Sequence, residues 1–173
     1  AKTDPEKGVK GISAFIVERE WDGVKPGPAM HKLGMNSSNT TEVFFENVEV
    51  PAENLLGEEG QGFVDTMKVL DGGRVGIAAL SVGVARGALE ESLKYSMERK
   101  QFGSAIGNFQ YMEGKMVDMA TEIDAARLLT HRAAWLKDCG KPYTTEASMA
   151  KLFASELSVR AALDAVQIHG GYG

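Results

Sequence analysis

The sequence predicts an α+β chain, a short β-rich stretch followed by an antiparallel helical bundle. Residues 1–57 gather β-branched and aromatic residues into two runs separated by turn chemistry. From about Gly60 the apolar residues recur at spacings of three and four. The helical segments that result are long and joined by short links, the pattern of antiparallel neighbours. With 43% hydrophobic and 25% charged residues among 173, the composition is that of a globular chain, not a disordered one.

The elements follow in chain order. "GISAFIVE" (11–18) and "TTEVFFENVEV" (40–50) read as strands. Between them "DGVKPGPAMHKLGMNSSN" (22–39) is loop chemistry, and Pro51 closes the second strand. Two strands cannot close a sheet, so residues 1–57 are expected to be the tail of a β domain begun upstream. The missing initiator methionine fits that expectation. "GEEGQG" (57–62) carries half of a dinucleotide fingerprint but lacks its third glycine and any βαβ unit, so it reads as a strand-to-helix turn.

The helical part, 58–173, opens with "GFVDTMKVL", a short helix that "DGG" (71–73) is expected to interrupt, because adjacent glycines are poor helix residues. A long helix then runs over 74–99 with a stripe of Val75, Ala78, Ala79, Val82, Ala85, Ala88, Leu89 and Leu93. After "FGSAIG" a second helix aligns Met112, Met116, Met119, Ile123 and Ala126, a stripe that reads as core packing. Gly140 and Pro142 separate it from a third, from Thr144 through Met149, Leu152, Phe153, Leu157 and Val166. Three helices of a bundle that usually closes with four give the pattern of a truncated domain.

Several function classes drop out. A net charge of −5 argues against a nucleic-acid binder. The single cysteine, Cys139, excludes a disulfide framework and a cysteine zinc site, and suits a reducing compartment. His31, His131 and His169 are scattered, so no metal site is expected. No apolar run reaches the ~18 residues of a membrane span. "AKTDPEKG" is neither a signal nor a transit peptide.

Three stretches resist a purely structural account. In "LDGGR" (70–74) an acid and a cation flank the expected helix break. Free N–H groups at a helix start and the Arg74 charge suit an anion or carbonyl, and an Asp–Arg cap explains the same residues. In "YSMERKQFGSAIGNFQ" (95–110) Arg99, Phe102 and Gln110 gather at a helix junction. Such a set can bind a phosphate, stack on a ring and read a polar edge, or can simply cap an αα-hairpin. In "AVQIHGGYG" (165–173) Gln167 ends an apolar helix face just before Gly170 and Gly171, a pair that admits close approach of a ligand or backbone.

Taken together, "KGISAFIVE", "HKLGMNSSNTTEVFFENVEVPAENLLGEEGQGF", "LDGGRVGIAA", "YSMERKQFGSAIGNFQ", "DMATEIDAARLLTHRAAW" and "AVQIHGGYG" resemble the acyl-CoA dehydrogenases. These flavoenzymes oxidise the Cα–Cβ bond of acyl-CoA thioesters. The resemblance spans essentially the whole chain. It implies that 1–57 is the last part of the family's β-barrel-like middle domain and 58–173 an incomplete C-terminal four-helix domain.

The resemblance also implies roles. Arg99 would contact the FAD pyrophosphate of a neighbouring subunit, Phe102 would lie by the adenosine, and Gln110 would add a further FAD contact. Gln167, Ile168, His169, Gly170 and Gly171 would line the FAD, with His169 neither acid nor base. Asp71, Gly72, Gly73 and Arg74 would face the acyl-CoA, with Arg74 the polar anchor. The carboxylate base of most members lies downstream of the glycine pair, beyond Gly173. In a minority it stands two residues after the Asp of the "LD" pair, here Gly73, which has no side chain. Neither Asp71 nor Glu113 is assigned the role.

The implied activity is α,β-dehydrogenation to the trans-2-enoyl-CoA, in fatty-acid β-oxidation or branched-chain amino-acid degradation. Electrons would pass to electron-transfer flavoprotein. The implied assembly is a homotetramer in a bacterial cytoplasm or mitochondrial matrix. The isolated 173 residues are expected to be inactive. Acyl-CoA oxidases, nitroalkane oxidases and flavin monooxygenases share the fold, and a non-catalytic helical oligomerisation module is the alternative outside the enzymes.

Overall fold

Helix dominates the computed structural model, which describes residues 1–173 as two compact units, Ala1–Met67 and Lys68–Gly173. The strands are β1 (Ala14–Phe15), β2 (Val24–Pro26), β3 (Val43–Phe45), β4 (Leu55–Leu56), β5 (Lys100–Gln101) and β6 (Ser104–Ala105). The helices are α1 (Gly62–Glu98), α2 (Gln110–Asp138) and α3 (Thr144–His169). The α+β class stands, with no closed barrel within this chain.

In the first unit β1 pairs antiparallel with β4 and β2 with β3, as two separate ladders. The strand expected over 11–18 and that over 40–50 are present but short. β2 lies inside the stretch read as loop: Val24 faces Phe45 and Pro26 faces Val43. Glycine and proline hid it. Gly23 has φ 87°, and a Cβ there would sit 2.2 Å from the Glu46 carbonyl, so the turn residue is what lets the strand pair. The Lys25 ammonium meets the Glu46 carboxylate at 2.5 Å across this ladder.

The stretch "GEEGQG" is the β4-to-α1 turn, with positive φ at Gly57 and Gly60. Buried Ser13 Oγ accepts from the Gly60 N–H (2.8 Å), and the Ile12 carbonyl accepts from Gly62 N–H (2.9 Å). A Cβ on Gly62 would lie 2.6 Å from the Ala14 nitrogen, so the start of α1 docks on β1 only with glycine there.

The largest departure from expectation is α1, which runs unbroken through 71–73. Two interior glycines cost about 1 kcal/mol each. Local polar contacts hold the helix across them. Asp71 pairs with Arg74 one turn on, and its other oxygen accepts from the Thr144 hydroxyl at 2.5 Å. Without a side chain, Gly72 leaves its site open to Lys137 and Tyr143: an added Cβ would lie 3.4 Å from the Lys137 ammonium and 3.9 Å from the Tyr143 hydroxyl.

The core of the helical unit forms where α1, α2 and α3 pack alanines around Met116, Met119, Ile123, Leu157 and Ile168. Ala78 and Ala85 come from α1, and Met116, Met119, Ile123, Ala126 and Ala133 from α2. From α3 come Ala150, Ala154, Leu157, Ala161 and Ile168. Buried Ser81, Ser92 and Ser96 return their hydroxyls to α1 carbonyls, so the close-packed face carries no orphan polar group. The methionine stripe of α2 is core, as expected. The expected α3 stripe is half right: Leu157 is core and Phe153 packs against it, but Met149, Leu152 and Val166 are exposed, and alanines make the rest of the contact. Alanine lets helix axes approach closely, and those three exposed residues lie on another face.

Ion pairs fix the antiparallel register of α2 and α3. Lys115 pairs with Asp164, Arg160 with Glu122 (2.9 Å) and Arg132 with Glu146 (3.1 Å). Hydrogen bonding to Asp164 holds the Lys115 ammonium above its ordinary 10.5, against the opposing effect of burial. A raised lysine pKa contributes stability that is complete below the unfolded value and lost as pH rises through the higher folded one. The urea-stability gap between the full-length protein and its Lys115→Met variant, about 1 kcal/mol or less at pH 8, should therefore close above pH 10.5. A gap independent of pH rules the pair out as a contributor.

Candidate functional site

One recess draws the ends of α1 and α3 together. It has a volume of about 310 Å³ and is lined by Tyr95, Arg99, Gln101 and Ile106 on one side and by residues 168–172 on the other. The helix period makes the first wall: Tyr95 and Arg99 are four residues apart and share a face, with Arg99 N–H donating to the Tyr95 carbonyl at 2.9 Å. The second wall is made by the end of α3. Ile168 is buried, Gly170 turns the chain with φ 61°, and the turn Gly170–Tyr172 follows.

Two aromatic contacts join the walls. The Tyr95 and His169 rings stack with centroids 4.4 Å apart and planes 23° from parallel. His169 Nδ1–H donates to the Ala165 carbonyl at 2.8 Å, which fixes the ring. The Arg99 guanidinium lies 5.9 Å from the centre of the Tyr172 ring. Nothing stands within 4 Å of a Cβ built on Gly170 or Gly171, so the surface over both glycines is open. A guanidinium beside an open glycine surface suits an anionic group of phosphate type.

The structure therefore brings Arg99, Ile168, His169, Gly170 and Gly171 together. It leaves Phe102, Gln110 and Gln167 exposed outside the recess. Tyr95, Gln101, Ile106 and Tyr172 are the lining residues that sequence reasoning missed. The signal for Tyr95 was its place one helical turn before Arg99.

Phe102 has a distinct setting. It stands at the tip of the β5–β6 hairpin, 96% exposed, with its ring edge-on to Phe109 at 6.4 Å between centroids. Phe102 and Gly103 both have positive φ (52° and 82°), as a type I′ turn requires. A bulky residue is strained there. The hairpin is anchored at its base, where a Cβ on buried Gly107 would come within 3.0 Å of the Ser96 hydroxyl.

Asp71, Gly72, Gly73 and Arg74 belong to a different place. They lie inside α1, so their N–H groups are part of the helix ladder and the expected helix N-terminus does not exist. Arg74 is held by Asp71, and its side chain is still 38% exposed. Along a continuous helix, the 25 residues from Arg74 to Arg99 span roughly 37 Å.

The sequence profile of the acyl-CoA dehydrogenase C-terminal domain matches residues 60–173. The chain belongs to the acyl-CoA dehydrogenase family. It is 52% identical over its whole length to the CarC subunit of the caffeyl-CoA reductase–Etf complex of Acetobacterium woodii, covering 46% of that protein. The solved butyryl-CoA dehydrogenase of Megasphaera elsdenii superposes with a TM-score of 0.96 at 47% identity, over 99% of this chain and 45% of that one. PigA with FAD and proline gives 0.93 at 35% identity, over 99% and 45%. The chain thus spans about half the length of the relatives it matches.

The strain at Phe102 yields a stability test. Phe102→Asn puts an Asn-Gly pair in the turn and should raise stability by about 1 kcal/mol, part of it offset by the lost Phe109 contact. Urea unfolding of the full-length protein measures it, and a variant less stable than the parent overturns the strain assignment.

Proposed function

We propose that the full-length protein is an FAD-dependent acyl-CoA dehydrogenase that converts a thioester to its trans-2-enoyl-CoA and passes electrons to electron-transfer flavoprotein. The observation that carries the reading is the recess joining Arg99 to the 168–172 turn. Its donor set fits a pyrophosphate. Its volume lies at the lower end of the roughly 300–1,000 Å³ of ligand pockets, so it holds one part of a dinucleotide rather than the whole. The butyryl-CoA dehydrogenase likeness supports the thioester substrate, the PigA likeness the flavin, and the CarC likeness the flavoprotein partner.

In this reading Arg99 neutralises the pyrophosphate, and Ile168, His169, Gly170 and Gly171 provide the surface it lies on. Phe102 and Gln110, exposed beside the hairpin, meet the adenosine end, and Gln167 adds a polar contact at the close of α3. Arg74, held in place by Asp71, anchors the acyl-CoA on the glycine-flattened face of α1. Dehydrogenation delivers the α-proton to a carboxylate and the β-hydrogen as hydride to an acceptor, which bound FAD supplies. The carboxylate comes from sequence beyond Gly173.

Roughly 37 Å between Arg74 and Arg99 exceeds what one small-molecule pocket spans. Each set therefore serves a different active site, which supports a homo-oligomer, a tetramer in our reading, with Arg99 reaching a neighbour's cofactor. The protein belongs in this reading to fatty-acid or branched-chain acyl breakdown, in a bacterial cytoplasm or a mitochondrial matrix.

The test is anaerobic titration of the full-length protein with acyl-CoAs of graded chain length. Bleaching of the flavin band, with slow return under oxygen, is the expected result. Rapid return identifies an oxidase, and no bleaching with any thioester removes the reading. Arg99→Ala should weaken FAD binding about 10- to 100-fold, as the loss of a charge-assisted contact does. Unchanged affinity removes Arg99 from the cofactor site. A purified chain of residues 1–173 should not reduce a dye with any acyl-CoA, and turnover by it sinks the assignment of the base to sequence outside it.

A further inference from the structure

We infer that Tyr95 is a positioning residue for the cofactor edge, acting through His169. The inference rests on the proposal that the Arg99 recess receives the FAD pyrophosphate. Tyr95 is half-buried against the helical core and stacks on His169, 74 positions later in the chain. His169 is the last residue of α3, and the two glycines that form the open surface come directly after it.

The argument is one of linkage between walls. Arg99 is carried just past the end of α1, one turn after Tyr95. Gly170 and Gly171 are carried just past the end of α3, and nothing stands within 4 Å of where a Cβ would sit on either. Helix ends fray unless something ties them. Buried Ile168 ties the core side of the last α3 turn. The His169 ring, fixed by its bond to the Ala165 carbonyl, ties the recess side to Tyr95. Tyr95 thus sets how far the glycine surface stands from Arg99. The Arg99–Tyr172 contact closes the same loop of interactions from beyond the glycines.

A stacking role makes no demand on the phenol oxygen, and that sets the experiment. Full-length apoprotein would be reconstituted with FAD, the quenching of free-flavin fluorescence reporting affinity and thermal unfolding reporting stability. Tyr95→Leu should weaken FAD binding by up to about tenfold, the upper range for an aromatic pair. Tyr95→Phe keeps the ring and should restore it. His169→Leu should produce a similar loss. The double Tyr95→Leu/His169→Leu variant should bind no worse than the poorer single, because one contact is removed twice.

The inference is overturned by wild-type affinity in Tyr95→Leu, by failure of Tyr95→Phe to restore binding, or by multiplicative losses in the double variant. A lowered melting temperature with unchanged affinity also overturns it, since that is packing alone. Should Tyr95→Leu not fold, His169→Leu against His169→Phe asks the same question, and equal affinity in the two refutes the stack. Arg99→Ala separates this from the broader reading. If it leaves FAD binding intact, the cofactor site itself is misplaced; if it weakens binding while Tyr95→Leu does not, the positioning role alone falls.

Discussion

The continuity of α1 is the constraint on which the rest of the helical unit depends. A break at 71–73 would let Asp71 and Arg74, at its two edges, take independent orientations. An unbroken helix instead fixes their separation and their angular relation, because each residue adds a set rise and rotation. The Asp71 carboxylate makes that continuity affordable. It accepts from Arg74 within the helix and from Thr144 at the start of α3, so the glycine pair is stiffened from both sides. Gly73 leaves open space on the helix surface, while Gly72 makes room for Lys137 and Tyr143.

Much of this was legible in the residues, and what was not has a physical cause in each case. The α2 stripe of Met116, Met119 and Ile123 is apolar on one side only, so periodicity identified its core face directly. Helix α3 is apolar on two faces: Met149, Leu152 and Val166 on one, Ala150, Ala154 and Ala161 on the other. Periodicity cannot rank two faces of one helix. Size misled, because the larger residues looked like core while the alanines permitted the closer approach. The glycine pair misled in the opposite direction. Intrinsic propensity read a break that two polar contacts from 3 and 73 residues away override. β2 escaped notice because Gly and Pro signal turns whether or not three residues between them pair.

At the candidate site, residue types with an evident chemistry were legible and residues acting through geometry were not. Arg99 and the two glycines declare themselves by charge and by lack of a side chain. Tyr95 does not, since a tyrosine on a helix face is ordinary until His169 is found against it. His169 was expected to be neither acid nor base, and its observed contacts are a ring stack and a backbone bond. Its value lies in shape.

Those contacts also bear on how an open surface can bind at all. Ordering flexible backbone on binding costs free energy that subtracts from affinity, so an edge made of glycines is useful only when held beforehand. The chain meets that cost in folding. Buried Ile168 and the Tyr95–His169 stack immobilise the last turn of α3, and Gly107 seated on Ser96 immobilises the hairpin that bears Phe102. What projects from these anchored bases is a strained aromatic tip and an arginine set against the Tyr172 ring. Groups of that kind, rigid beneath and exposed above, lose little freedom when a ligand or a neighbouring chain covers them. The same reasoning lets the two sets of residues we propose as binding share one helix: each is organised by its own local anchors, Asp71 and Thr144 for one, Tyr95 and His169 for the other. Neither set needs the other to be filled in order to hold its shape.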